Sequence, residues 1–385
     1  MVSDEANAAP ALDAPAFLSE HDRLQRLAAN RSEVISFAGG LPDSKLFPRR
    51  QLVRAFIATI ERPSCAALQY GWPEGLIGLR RYVAERLVER GAHVDPSHVV
   101  ITSGAQQAIS LSLHASLRRG GVIGIEAESY PGALDAARAF GAKLTALEDA
   151  AQAYYVMPGL SNPRGQAMSS DARRGLLERA RRARACIIED DAYAETVFSG
   201  RASRPLLADA PERVFHVGTF SKTLCPGLRV GWVVAPERYL RRILSAKQNN
   251  DLQANGLSQS LLEAYLEQGT FEALKARSRR SYARRAQRLA EAVRRYLPEF
   301  RFDEPCGGFS LWLESDLRLT DDALFDAALS EGVSFDMGQG FRRVANETLS
   351  LRLSYSCVAE EQVVEGVRRL ARALRAARRH QGENE

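Results

Sequence analysis

The chain predicts an α/β fold in two domains, and three observations carry that expectation. Its 385 residues are more than one small core organises, and they leave ample length for buried strands. Short apolar runs, many of them β-branched, alternate with longer stretches that place apolar residues at helical spacing. The composition, 45% hydrophobic and 26% charged, is that of a soluble globular protein.

The same composition excludes several classes of function. Lys and Arg number 52 against 47 Asp and Glu, a net charge of +5 that sets up no strong field for nucleic acid. The arginines concentrate only in Arg368–Arg379, where Val367, Leu370, Ala371 and Leu374 form the apolar stripe of a helix with a solvated face. Five scattered cysteines (Cys65, Cys186, Cys225, Cys306 and Cys357) make no CxxC pair, and six histidines make no HxxxH or HxH. Neither a metal site nor a disulfide framework is expected, and a reducing cytoplasm fits. Met1–Phe17 is acidic and alanine-rich, unlike a signal peptide, and no apolar run approaches a membrane span.

Taken in order, Leu18–Asn30 reads as a short helix carrying Arg23 and Arg26. Ile35–Pro42 is a short strand broken by Gly39, Gly40 and Pro42; paired glycines suit either a close backbone approach to a ligand or a plain turn. Tyr70, taken alone, is a packing tyrosine before a helix whose face is Leu76, Leu79, Val83 and Leu87 and whose stop is Gly91. His98–Thr102 is a strand, and Ser103-Gly104-Ala105-Gln106-Gln107 opens a helix to about Leu117. Free N–H groups and the helix dipole favour an anion at such a turn. Gly121–Glu126 is the next strand and ends at Ser129-Tyr130-Pro131-Gly132.

Lys143–Leu147 and Tyr154–Met157 both read as strands, but Glu148–Ala153 is too short for the crossover helix that a parallel pair needs. Either the two are not parallel neighbours or one lies outside the sheet. Asn162-Pro163-Arg164-Gly165 by itself is a turn. Ser169–Arg184 is helical, and the strand Ala185–Glu189 runs into Asp190-Asp191-Ala192-Tyr193, on the side where α/β sheets bind ligands. Asp191 reads as a helix cap or a solvated acid. Pro236–Gln248, Asn255–Gly269 and the long Phe271–Tyr296 follow as helices. The second domain then alternates strands (Gly308–Leu313, Val333–Phe335, Leu349–Ser354) with helices (Asp321–Glu331, Ala359–Arg378).

The chemistry concentrates in Gly218–Gly231, between the apolar runs Val214–Val217 and Val230–Ala235. A lysine at the mouth of a strand is unusual, and a lysine with a lowered pKa forms a Schiff base with an aldehyde. Arg229, set by a Pro-Gly turn seven residues after Lys222, suits a phosphate dianion, and Thr219 and Ser221 add hydroxyl donors. Amine, arginine and hydroxyls together suit a phosphorylated aldehyde, pyridoxal phosphate. The stretch resembles the lysine motif of fold-type I pyridoxal-phosphate aminotransferases. Phe37-Ala38-Gly39-Gly40-Leu41-Pro42 is similar to the opening string of the 2-aminoadipate and kynurenine aminotransferase group. The resemblance runs from about Arg23 to Arg372, with the motifs in family order.

That resemblance implies a large α/β domain with a mostly parallel seven-stranded sheet and a smaller α/β C-terminal domain. Residues 1–44 would form the arm and part of the small domain, 45–285 the cofactor-binding domain, and 286–385 the small domain. It implies a homodimer with pyridoxal phosphate at the subunit interface and an amino acid and a 2-ketoacid as small-molecule partners. Lys222 would hold the cofactor and then act as general base, Asp190 (chosen by the D-x-x-Y spacing) would pair with the pyridine nitrogen, and Tyr193 and Asn162 would bond the ring oxygen. Tyr130 would stack on the ring; Ser103, Gly104, Ala105, Gln106, Thr219, Ser221 and Arg229 would anchor the phosphate, with Tyr70 reaching the partner's. Arg352, in Leu351–Ser356, would clamp the α-carboxylate near Gly40 and Asn162, and Arg23 would meet the substrate's side chain.

Three features depart from the family pattern. Glu128 stands for a proline and Arg164 for a threonine, and the segment 148–153 is short by a helix. They read either as drift in surface loops or as a pocket reshaped for a polar or cationic substrate. Three rivals to transamination are a winged-helix regulator on the same domain, a lyase, cyclase or oxidase on the same fold, and a non-catalytic binding protein. The first would need some sixty or more residues (roughly) before Gly39, and the last has no reason to keep Lys222, Asp190 and Arg352 together.

Overall fold

The computed structural model describes residues 33–64 and 66–382, so the expected helix Leu18–Asn30 and Arg23 lie outside the described residues. Strands are numbered along the chain: β1 Ile35–Ser36, β2 Val99–Thr102, β3 Val122–Ile125, β4 Lys143–Thr145, β5 Ala153–Val156 and β6 Cys186–Asp190. They continue with β7 Val214–Thr219, β8 Gly231–Val234, β9 Ser310–Ser315, β10 Val333–Ser334, β11 Asp336–Met337 and β12 Leu349–Ser354.

Seven strands form one sheet in the order β2-β8-β7-β6-β5-β3-β4, parallel except for β8, which runs antiparallel to both β2 and β7. The sheet is buried on both faces, as parallel sheets are. Successive residues therefore feed two separate cores. Tyr155, Ile188, Phe215 and Val217 pack with the helices Ala105–Ser116, Pro131–Phe140 and Phe271–Tyr296. Tyr154, Ile187 and Val214 pack with Ile77–Val88, Ser170–Arg182 and Gly256–Leu266. The apolar runs in the sequence are continuous for this reason.

β4 and β5 are indeed not neighbours: each pairs in parallel with β3, on opposite sides. The chain crosses between them without a helix. Tyr154 takes over part of a helix's covering role, its ring lying where a Cβ on Gly124 of β3 would be 2.5 Å away. Its hydroxyl donates to the Asp149 carbonyl in the crossing segment at 2.9 Å.

A three-stranded antiparallel sheet, β11-β12-β9, follows the 26-residue helix Phe271–Tyr296. Asp336, Arg352 and Trp312 stand in register across it, so their side chains share one face. The expected single strand Val333–Phe335 is two. β10 pairs in parallel with β1, while β11 joins the antiparallel sheet. Arg49–Ile60 and Pro131–Phe140 are helices without a counterpart in the sequence reading. The second has a proline in its first turn and ends at Gly141 in the left-handed region (φ 82°). Its apolar stretch is short and merges with the preceding strand, which hides it.

Candidate active site

Three of the site side chains sit at or just past the carboxyl ends of β5, β6 and β7, where the seven-stranded sheet meets the segment after β1 and the three-stranded sheet. Lys222 follows β7 by three residues. Its amino group donates to the Gly40 carbonyl at 3.1 Å and lies 5.2 Å and 5.7 Å from the ring centres of Tyr193 and Phe309. Tyr193 and Phe309 meet edge to face at 5.4 Å. Gly40 is in the left-handed region (φ 54°), and a Cβ there would be 3.3 Å from the Arg352 guanidinium. The backbone therefore threads between the lysine and Arg352, which only glycine permits without displacing the arginine.

Arg352 is buried and fully oriented. Its Nε and Nη2 donate to one oxygen of Asp336 at 2.9 and 2.6 Å, and its Nη1 donates to the Asn162 side-chain oxygen at 2.9 Å. Phe341 lies under the guanidinium at 4.5 Å. Asp336 also accepts from the Gly39 N–H at 3.1 Å. Asn162 follows β5 and precedes Pro163 through a cis bond.

Asp190, the last residue of β6, accepts from the Tyr155 hydroxyl at 2.7 Å and the Ala192 N–H at 3.0 Å. Burial pushes this carboxyl upward, against the pull of those two donors and of Lys222. Asp191 differs from the cap or solvated acid expected of it. Being one residue on, it points to the opposite face, where it is buried with Arg90 at 2.5 Å and the His216 Nε2 at 3.0 Å. Although burial opposes its charge, Arg90 and His216 hold it below the usual carboxylate range. It is a structural ion pair behind the site.

The turn after β2 forms a cradle. Gly104 (φ 85°) precedes the helix Ala105–Ser116, and a Cβ there would be 2.7 Å from Arg229 Nη2. A Cβ on Gly231 would meet the Gly104 carbonyl carbon at 2.7 Å and the Ala105 nitrogen at 2.8 Å. Arg229, itself at φ 54°, has only carbonyl partners among the described residues, those of Ser103 and Pro226. The Thr219 hydroxyl, near Ser221 at 2.9 Å, is shared with the Val230 carbonyl. The Ser103 hydroxyl donates to Asp251, which also holds Gln107 and the fully buried Lys247. Gln106 donates to the Gly132 carbonyl at 2.6 Å, and Gly132 leaves room for the Tyr130 ring. A guanidinium without a carboxylate partner, helix N–H groups and an amine held by a carbonyl fit a phosphorylated aldehyde within one donor set.

Tyr70 stands apart, 79% exposed beside Trp72 at 80%. Tyr155, Asp336, Phe309, Lys247 and Asp251 are not marked out by the sequence. Each reaches the site from a segment with no motif of its own, and only the packing brings it there. Glu128 and Arg164, the two departures, prove to be partners of each other at 3.1 Å.

Comparison with known proteins agrees with this geometry. The family profile described as aminotransferase class I and II matches residues 47–370. The 2-aminoadipate transaminase of Thermus thermophilus is 37% identical, over 90% of this chain and 91% of its own length. Aromatic-amino-acid aminotransferase 1 of Thermococcus litoralis is 31% identical, over 89% of this chain and 88% of its own. Among solved structures, the α-aminoadipate aminotransferase LysN of Thermus thermophilus, complexed with N-(5'-phosphopyridoxyl)-L-leucine, superimposes with a TM-score of 0.84. It is 33% identical and covers 94% of this chain and 97% of its own.

Proposed function

Because this chain belongs to the class I and II aminotransferase family, we propose that Lys222, Asp190, Arg352 and the Gly104 cradle divide the work of amino transfer among them. The protein is a fold-type I, pyridoxal-phosphate-dependent aminotransferase that moves an amino group between an L-amino acid and a 2-ketoacid. Bound pyridoxal phosphate supplies an aldehyde to take up the amino group and a ring to draw off the electrons left when the α-proton departs.

The chain's own residues do the rest. Arg352 holds the substrate's α-carboxylate; Asp336 and Asn162 fix its plane beforehand, so little orientation is lost on binding. Lys222 Nζ, which donates to the Gly40 carbonyl, would take the substrate's α-proton and deliver it to the cofactor's aldehyde carbon. Asp190 would keep the cofactor's ring nitrogen protonated, and Tyr130 would cover the ring. The Gly104 turn, Ser221 and Arg229 would hold the phosphate, and Tyr193 and the Asn162 side-chain amide would donate to the ring oxygen. The observation that carries this assignment is the convergence of Lys222, Gly40, Arg352 and Asn162 from four separate segments. Lys222→Ala should remain folded yet lose the visible absorption and all turnover. Borohydride trapping followed by peptide mapping that labels another lysine overturns the assignment.

The finer reading extends to substrate, assembly and place. Acidic or aromatic amino acids are proposed as donors, by likeness to the named relatives. A small domain is proposed from the described residues 286–382 together with β1, beside the one built on 45–285, and the pairing of β1 with β10 supports this division. A homodimer is proposed because Val53, Phe56, Ile57, Leu68, Tyr70 and Trp72 are large, exposed and mostly apolar. The cytoplasm is proposed because the described cysteines are all free. No helix among the described residues is long and apolar enough to cross a membrane.

A further inference from the structure

We propose that Glu128 is a positioning residue: with Arg164, Glu314 and Arg342 it clasps the three-stranded sheet to the loop that carries Tyr130, and so sets where Arg352 stands. The inference rests on the proposed role of Arg352 as the carboxylate holder.

The four side chains alternate in charge. Glu128 and Arg164 come from the loops after β3 and β5; Glu314 lies on β9, and Arg342 lies in the turn before β12. Glu128 accepts from Arg164 Nε at 3.2 Å and from Arg342 Nη1 at 3.4 Å. Arg164 Nη2 reaches Glu314 at 3.1 Å, and Arg342 Nη2 lies 3.6 Å from the same carboxylate. Arg342 is buried, with its Nη2 donating to Ser350 of β12 at 3.1 Å. Glu128 is largely covered, so the pair is screened far less than a surface ion pair.

Two features make this more than an ordinary contact. The backbones pair at the same place: the Ser129 N–H donates to the Phe341 carbonyl at 2.8 Å and the Arg343 N–H to the Ala127 carbonyl at 2.9 Å. Tyr130 is the next residue. The Trp312 ring centre also lies 6.0 Å from the Arg164 guanidinium and 5.9 Å from that of Arg342. Trp312 meets the edge of Phe341 at 5.8 Å, and Phe341 underlies Arg352. A continuous set of packed groups thus joins Glu128 to the guanidinium that receives the substrate. Both Glu128 oxygens are already engaged by arginines, which argues against the pocket reshaped for a cationic substrate and against simple drift alike.

Glu128→Gln keeps the size and removes the charge. KM should rise about tenfold for acidic, aromatic and aliphatic amino acids alike, with kcat within about threefold of wild type, because the lost interaction positions the carboxylate site. The dissociation constants of the unreactive carboxylates glutarate and 3-phenylpropanoate, measured by calorimetry on the holoenzyme, should rise by the same factor. Arg342→Gln should copy these effects, and the double variant should be no worse than either alone. Glu128→Asp, which keeps the charge, should recover part of the loss and serves if Glu128→Gln does not fold. A loss confined to basic substrates would make Glu128 a substrate contact and overturn the proposal. So would unchanged KM and dissociation constants, or losses that multiply in the double variant. Arg352→Gln is the control: if it leaves both carboxylates bound as in wild type, the role assigned to Arg352 fails first, and the clasp's effect on it fails with it.

Discussion

Tyr155 shows how one hydroxyl conditions the chemistry of a neighbour. It donates to Asp190 in a place where burial pushes that carboxyl toward its neutral form. In the proposed mechanism Asp190 must stay ionised to keep a ring nitrogen protonated. A hydrogen bond to a charged group contributes about 1.5–3 kcal/mol, and the Tyr155 hydroxyl is the largest influence holding this carboxyl down against burial. The sign follows: Tyr155→Phe lets the Asp190 pKa climb further and weakens its hold on the ring proton. The cofactor's ring nitrogen, followed by nitrogen NMR of the holoenzyme, should therefore lose its proton at lower pH, and kcat should fall about tenfold with substrate KM little changed. An unmoved titration in a folded Tyr155→Phe variant would detach Asp190 from that role.

At the scale of elements, the strands announce themselves and the connections do not. β2, β6 and β7 are apolar runs whose two faces feed two cores, so composition alone marks them. Lys222, Asp190 and Asn162 are readable because each ends or soon follows an apolar strand, within a short stretch of fixed residue types. Asp336 is not, since what makes it matter is its register with Arg352 sixteen residues later. Asp191 defies its local reading because its partner Arg90 belongs to a segment 101 positions earlier. The short crossing from β4 to β5 belongs here too. It is legible as too short for a helix, while the ring that compensates is not. Tyr154→Ala opens a cavity over Gly124 and frees the crossing segment, so it should cost about 3–5 kcal/mol, the range for aromatic truncations. Chemical denaturation measures this; Tyr154→Phe should cost about 1 kcal/mol, the hydroxyl's hydrogen bond alone.

For the whole molecule, the test is whether two chains are needed. If Tyr70 serves the neighbouring subunit, Tyr70→Ala and Lys222→Ala chains are each impaired, but a mixed dimer has one site with both residues intact. Mixing the two variants should restore about a quarter of wild-type activity at most: half of the randomly mixed dimers are hybrids, each with one of two sites whole. A fully active monomer in sedimentation at assay concentration would dispose of the shared site.

The pairing of β1 with β10 has a consequence for how the protein comes into being. Ser36 and Ser334 meet across 298 positions, and Gly39 and Gly40 follow directly from that junction. A ribosome adding about 5–20 residues per second takes roughly 15–60 s to cover that distance. The strands from β2 to β8 and the Gly104 cradle are complete well before then. During synthesis the half that carries the proposed phosphate cradle can therefore form while the first strand waits for its mate. On the proposed roles, the chain can complete its place for the cofactor before its place for the amino acid.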